Sequence, residues 1–153
     1  MAPMGVVRVE RTIGAPPEQV WAVYTDHVSW QDWSAIGKVQ LQRAGDPPPN
    51  GAGCVRVISK LGVTVFEEVL SFEPPRRMTY RVVRGGIPIK NHLGEVVFET
   101  RTGDSTRIVW SCQFDSKIPG LDFVWRRLIR KVFSDTLEAL ARNRFAQPVR
   151  PPA

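Results

Sequence analysis

The chain of 153 residues lacks most of the features that announce a chemistry. It holds two cysteines, Cys54 and Cys112, far apart and each inside a strand pattern. No Cys-x-x-Cys pair stands beside either, which argues against a metal or redox motif and reads both as small buried hydrophobes. Histidine also occurs twice, at His27 and His92, too few for a zinc site of histidine spacing. His27 falls near the start of a short helix and is expected to be exposed. Glycines do not gather into a phosphate-cradling loop; Gly85-Gly86 stands alone and reads as a turn. No Gly-x-Ser-x-Gly elbow occurs. No metal and no cofactor is therefore expected.

No apolar run is long enough to span a bilayer. The N-terminus passes straight into a strand pattern, without a basic segment followed by an apolar one, so no secretory signal is expected and the cytoplasm is the default location. The net charge is +6, yet Arg and Lys are scattered over strands, turns and the last helix. No RNA-reading motif, basic arm or helix-turn-helix pattern accompanies them, so nucleic acid is not an expected partner. A solvated basic surface is the reading, with a weak anionic-membrane contact through Arg126, Arg127, Arg130 and Lys131 left open.

What the chain does have is one long helical pattern, Leu121–Phe145, after a succession of strands. Apolar residues recur there at Leu121, Val124, Trp125, Leu128, Ile129, Val132, Phe133, Thr136, Leu137 and Leu140, the spacing of a helix with one buried face. Alternation predicts strands over Val6–Ile13, Lys38–Arg43, Cys54–Leu61, Val63–Phe72, Met78–Arg84, Asn91–Thr100 and Ser105–Phe114. Two short helices fill Pro16–Ala35, opened by Pro17 at a first helical turn and by Glu18 near its positive end. Asp26 suits the cap of the second. Turn residues separate the strands, including Gly62, Glu73-Pro74-Pro75-Arg76-Arg77 and Gly85-Gly86-Ile87-Pro88. Strands joined by short loops are antiparallel neighbours, and a twisted sheet of seven of them followed by one amphipathic helix curls around it. The class is α+β, in one domain over residues 1–147, with a proline-bearing tail at 148–153.

This order, with Ala15-Pro16-Pro17-Glu18-Gln19-Val20-Trp21, then Trp30 and Trp33, then Phe72-Glu73-Pro74-Pro75-Arg76-Arg77 before a Tyr-bearing strand, resembles the START-like superfamily. The nearest branch is polyketide cyclase/dehydrase and lipid transport. The Gly53 strand and Thr106-Arg107-Ile108-Val109-Trp110 fit it as well. The resemblance covers about Val6–Phe145 and implies the helix-grip fold, with a cavity between helix and sheet. The family includes lipid carriers, hormone receptors and aromatic cyclases, so the likeness specifies fold better than function.

Polar residues inside strand patterns are the candidates for a site. Side chains alternate along a strand, so one of Glu67 and Glu68 must face inward. Alternation groups Glu68 with Phe66, Leu70 and Phe72, and does not choose between the two. The resemblance favours Glu67. His92 shares a face with Gly94, Val96 and Phe98, and Tyr80 stands on the neighbouring strand. If that face is inward, His92, Tyr80 and Glu67 could orient a phenol, keto group or carboxylate, or do acid/base work. The bland alternative is a set of hydrogen-bonded strand residues without a ligand. Trp110, with Ile108, Cys112 and Phe114, is expected to touch core and cavity, and Trp21 is core. The resemblance makes Trp33 a lid residue and Val124, Leu128, Val132 and Thr136 a cavity wall. Three functions follow as expectations: a carrier or sensor for a hydrophobic or aromatic small molecule, lipid- or polyketide-like; a cyclase or dehydratase using His92, Tyr80 and Glu67; or a module that docks through its basic helix face. Monomer and homodimer both remain open.

Overall fold

The computed structural model describes residue 3 and residues 5–146. Seven strands occur in chain order: β1 (Gly5–Ile13), β2 (Lys38–Arg43), β3 (Val55–Lys60), β4 (Val63–Glu73), β5 (Arg77–Gly85), β6 (Ile89–Arg101) and β7 (Ser105–Ser116). Helices α1 (Pro17–Tyr24) and α2 (Trp30–Trp33) lie between β1 and β2, with a single 3-10 turn at His27–Ser29 before α2. The long helix α3 (Asp122–Arg144) is the last element of the described residues. The expected tail at 148–153 lies outside the described residues. The sheet order is β1-β7-β6-β5-β4-β3-β2, antiparallel at every pairing. Each strand neighbours the next in sequence, except that β1 pairs with β7. This is the α+β helix-grip fold: a curved antiparallel sheet with one long helix in its grasp.

Turn chemistry sets much of the register. Leu61 and Gly62 both adopt positive φ (51° and 80°), the pair of left-handed residues that a two-residue hairpin requires. That turn places Lys60 opposite Val63 and, further down, Arg56 opposite Glu67. Two irregularities then change faces. The register shifts between Val69 and Ser71. Phe72 thereby returns to the core face and packs on Trp21, ring centres 5.0 Å apart. Strict alternation had grouped it with Glu68, which points outward between Arg43 and Arg81. A second shift between Lys90 and Leu93 surrounds Asn91, at φ 53°, and lets both Ile89 and His92 face inward.

The core is asymmetric. Beside α1 the sheet is filled with aromatic rings: Trp21, Tyr24, Trp30, Phe98 and Trp110 meet at centroid distances of 5.1–5.8 Å. Helix α3 joins this core through its second half, where Phe133, Thr136, Leu137, Ala139 and Leu140 are buried. Phe133 stacks on Trp110 at 3.9 Å, and Asn143 donates to the Trp33 carbonyl at 2.7 Å. The first half of α3 is different. Phe123, Val124, Leu128 and Val132 remain exposed, although their spacing continues the apolar face. Helix α3 packs chiefly along β1, so its first half stands away from β3, β4 and β5.

His27 corrects a sequence expectation: it is fully buried, with its ring edge-on to Trp30. Asp26 precedes the 3-10 turn without a side-chain cap bond. The two cysteines are free and buried, as their strand patterns suggested.

Gly94 shows how tightly the sheet face is packed. It sits opposite Tyr80, whose phenol lies across it toward Trp110. A Cβ at position 94 would stand 2.3 Å from Cζ of Tyr80. Gly94→Ala should therefore force the phenol aside and cost about 1–3 kcal/mol, read as a lowered urea midpoint. An unchanged midpoint would mean that the Tyr80 ring is free to move.

Candidate functional site

A cavity of about 500 Å³ opens between the first half of α3 and the sheet. Its wall is apolar for the most part, with Ile58, Val65, Val82, Ile87, Ile89, Leu128, Ile129, Val132 and Phe133 contributing. Trp30 and Trp110 form its aromatic end. The mouth lies where the β3–β4 hairpin tip, the Gly85–Ile87 loop and α3 fail to meet. Leu61 at that tip is 93% exposed. Lys60 and Lys131 stand on the lining too, but Lys60 Nζ donates to the Ala35 carbonyl and Lys131 Nζ to Asp135.

Besides Lys60, Lys131 and Asp135, the polar side chains on the wall are Glu67, Tyr80 and His92. Glu67 is the inward carboxylate of its pair. Behind it stands a residue that sequence reasoning missed. Arg56 on β3 is fully buried, and its Nε donates to Glu67 Oε1 at 2.9 Å. Its guanidinium carbon lies 4.7 Å from the Trp30 ring centre and 4.5 Å from that of Tyr80. Two aromatic faces and one carboxylate thus hold a cation that the interior would otherwise reject. Burial opposes the guanidinium charge, but Glu67, Tyr24 and Tyr80 outweigh it and raise the Arg56 pKa further. Arg56 Nη1 and Nη2, Tyr24 Oη and His27 Nε2 are buried without hydrogen-bond partners among the described residues. A signal for this pair did exist in the sequence. Pairing across a two-residue Leu61-Gly62 turn sets Arg56 opposite Glu67, in phase with inward Cys54 and Ile58.

Tyr80 Oη accepts from Trp110 Nε1 at 2.7 Å. Burial pushes its phenol well above the ordinary range, so Tyr80 stays protonated. His92 Nδ1 accepts from the Val82 backbone N–H at 3.1 Å. This bond replaces a ladder contact, because the pairing of β5 with β6 ends at Tyr80–Gly94. Glu67 is paired directly with Val82 on its other side. Glu67 on β4 and His92 on β6 therefore flank Val82 of the strand between them and share the cavity. The thiols contribute no nucleophile: burial pushes Cys112 up to about 12 and raises Cys54 as well. Among the described residues, no three His, Cys, Asp or Glu side chains gather to hold a metal.

Of the wall expected from sequence, Glu67, Tyr80, His92, Trp110, Leu128 and Val132 come together on the cavity. Trp33 does not. It is buried behind Trp30, with Nε1 donating to Ser29 Oγ at 3.1 Å, and Trp30 takes the cavity position instead. The one-turn length of α2 leaves a single face for the cavity, and Trp30 occupies it. Val124 also stands outside the lining, 36% exposed, because α3 has already left the sheet at that turn. Thr136 touches only a smaller void beside Ile36 and Lys60. No helix among the described residues is long and apolar enough to cross a membrane.

Fold and cavity together define a START-like domain. Residues 4–143 match the family described as polyketide cyclase / dehydrase and lipid transport, and the chain belongs to that family. No curated protein matches the sequence. Among solved structures, it is similar to the protein XoxI from Bacillus cereus, with 24% identity, a TM-score of 0.77 and coverage of 92% of this chain and 95% of that one. A START superfamily protein from Mycobacterium smegmatis matches at 12% identity and TM-score 0.75, over 90% and 95% of the two chains. Norcoclaurine synthase from Thalictrum flavum, solved in complex with dopamine and hydroxybenzaldehyde, matches at 14% identity and TM-score 0.72, over 90% and 84%. At these identities the likeness is one of fold.

Two predictions follow from the buried polar groups. Glu67→Gln leaves the Arg56 cation buried without an anion and should cost about 3–5 kcal/mol. Arg56→Met should cost less, because Glu67 opens on the cavity where water reaches it. The double variant Arg56→Met/Glu67→Leu should regain most of the loss. A chemical-denaturation cycle measures all three, and additive losses would rule out the coupling. The second concerns pH. Burial lowers the pKa of His27 strongly and that of His92 less so, Glu67 partly opposing the shift at His92. Below about pH 6.5 the unfolded chain therefore binds protons that the native protein refuses. Stability should be complete above that value and fall as pH drops through it. A flat urea midpoint from about pH 8 to 5 would show that both rings titrate normally.

Proposed function

We propose that the domain binds a hydrophobic or aromatic small molecule between α3 and the sheet, as a carrier or sensor. The observation that carries this reading is the cavity itself, about 500 Å³ with a largely apolar wall and few polar side chains on it. A protein interior ordinarily closes such space, because voids forfeit packing contacts. Here α3 keeps Leu128 and Val132 exposed at its edge. Family membership supports the same reading, since its description couples polyketide chemistry with lipid transport. Incubation of the purified protein with a lipid and polyphenol extract, followed by native mass spectrometry, tests it. A retained adduct supports binding, and absence of any bound species overturns it.

The second reading is cyclisation or dehydration of a polyketide-like substrate. Its support is that Glu67 and His92 share the cavity wall, offering a carboxylate and an imidazole to one bound molecule. Tyr80, a third candidate, is tied to Trp110. Turnover of a model poly-β-ketone that disappears in His92→Phe favours this reading. Binding without turnover favours the carrier.

Leu128 separates ligand contact from folding. It borders the cavity yet is 43% exposed, so a larger side chain meets ligand space before it meets core. Leu128→Trp should weaken binding of an apolar probe at least about tenfold, a loss of ~1.4 kcal/mol. Its melting temperature should stay near that of the parent chain. A large drop in Tm with unchanged affinity would place Leu128 in the core instead.

A further inference from the structure

We infer that Glu67 and His92 form a paired acceptor and donor that selects a neutral hydroxyl, an alcohol or phenol, on an otherwise apolar ligand. The inference rests on the cavity-binding reading and narrows it to one functional group.

Two hydrogen bonds inside the protein decide what each side chain still offers. Glu67 Oε1 is taken by Arg56 Nε at 2.9 Å, and Oε2 has no hydrogen bond among the described residues. Oε2 is also absent from the groups sealed away from solvent, so it opens on the cavity that Glu67 lines. Arg56 cannot turn to meet a ligand itself, because Trp30 and Tyr80 clamp its two faces and it has no exposure. It acts as a positioning residue that fixes which carboxylate oxygen faces inward. His92 is defined in the same way. Its Nδ1 accepts from the Val82 N–H, so in the neutral ring the proton sits on Nε2. Nε2 makes no hydrogen bond within the protein among the described residues and, like Oε2, is not sealed from the cavity.

One acceptor on β4 and one donor on β6 thus flank Val82 of β5, the strand between them, at the same level of the sheet. A hydroxyl is the smallest group that satisfies both, donating to Glu67 Oε2 and accepting from His92 Nε2–H. Competing groups fail on one count or two. A carboxylate has no proton for Glu67 and carries the same charge. A ketone leaves Glu67 Oε2 desolvated and unpaired. An ammonium leaves the His92 N–H without an acceptor. Of the cations on the lining, Lys131 is paired with Asp135, and Lys60 donates to the Ala35 carbonyl at an exposed site where solvent screens its charge. Selection therefore works as much by rejection as by attraction.

Three naphthalene probes of one size test this on the full chain by calorimetry at neutral pH: 2-naphthol, 2-methylnaphthalene and 2-naphthoate. We expect 2-naphthol to bind roughly 30- to 100-fold more tightly than 2-methylnaphthalene, with 2-naphthoate weakest. His92→Phe should cut the advantage of 2-naphthol over 2-methylnaphthalene about tenfold. His92→Gln should restore the advantage, because its amide accepts from Val82 N–H and still donates to the ligand. Equal affinity for the three probes, a preference for the carboxylate, or a full naphthol advantage in His92→Phe overturns the hydroxyl assignment and leaves the cavity reading standing. Binding by none of the three removes both. If His92→Phe does not fold, the three-probe series on the unmodified chain and His92→Gln decide the matter.

Discussion

The burial of Arg56 is the constraint on which the rest of the site depends. A guanidinium without solvent contact must find an anion and surfaces that tolerate its charge, or the sheet cannot close around it. The fold supplies these from four elements. Glu67 on β4 answers the charge, Tyr80 on β5 and Trp30 on α2 cover its faces, and β3 carries the residue itself. Each partner is then fixed by a further contact. Trp30 donates to the Tyr24 carbonyl at 2.6 Å, and Tyr80 is held by Trp110, whose ring stacks on Phe133 of α3. One buried cation thus connects the short helices, four strands and the long helix in a continuous set of contacts. Two nitrogens of the same guanidinium have no hydrogen-bond partner among the described residues, which makes the cation expensive to keep.

The second theme is an incomplete grip. The aromatic end of the sheet is packed like an ordinary core, while the other end stays open although the residues facing it are apolar. The difference arises from the path of α3. Its C-terminal half is pinned by Phe133, Leu137, Leu140 and Asn143, and its N-terminal half diverges from β3–β5. The β5–β6 ladder ends early on the same side, and His92 fills the gap by taking the Val82 N–H. An open helix end and an open ladder end coincide, and the cavity is their intersection. Its few polar groups lie at that ladder break, so backbone geometry and ligand chemistry have a common origin.

Much of this was legible in the residues. Period-two alternation located every strand, and i, i+3, i+4 spacing located α3 within a residue of its observed ends, because burial of one face imposes those periods. The same periodicity grouped His92 with Gly94, Val96 and Phe98 and left open whether that face was the inward one. What escaped it were features created by irregularity or by partners distant in sequence. The shift at Val69–Ser71 moved Phe72 to the core, since an extra residue reverses alternation beyond it. His27 and Trp33 were misjudged because a short helical turn has no period long enough to show which side is covered. Arg56 was passed over because a charged residue in a strand reads as solvent-facing until its cross-strand neighbour is known.

The sequence by itself determined the α+β class, the order of elements, the pairing turns and the long helix that the sheet encloses, because these depend on local propensity and on periodic burial. Only the tertiary structure decided that half of the apolar face of α3 would remain unburied, that Glu67 rather than Glu68 would face inward, and that Arg56 would be locked behind it. Those outcomes depend on how far a twisted sheet curls before its ladders part. That distance is set by the sum of many contacts across the molecule and is written in no single stretch of the chain.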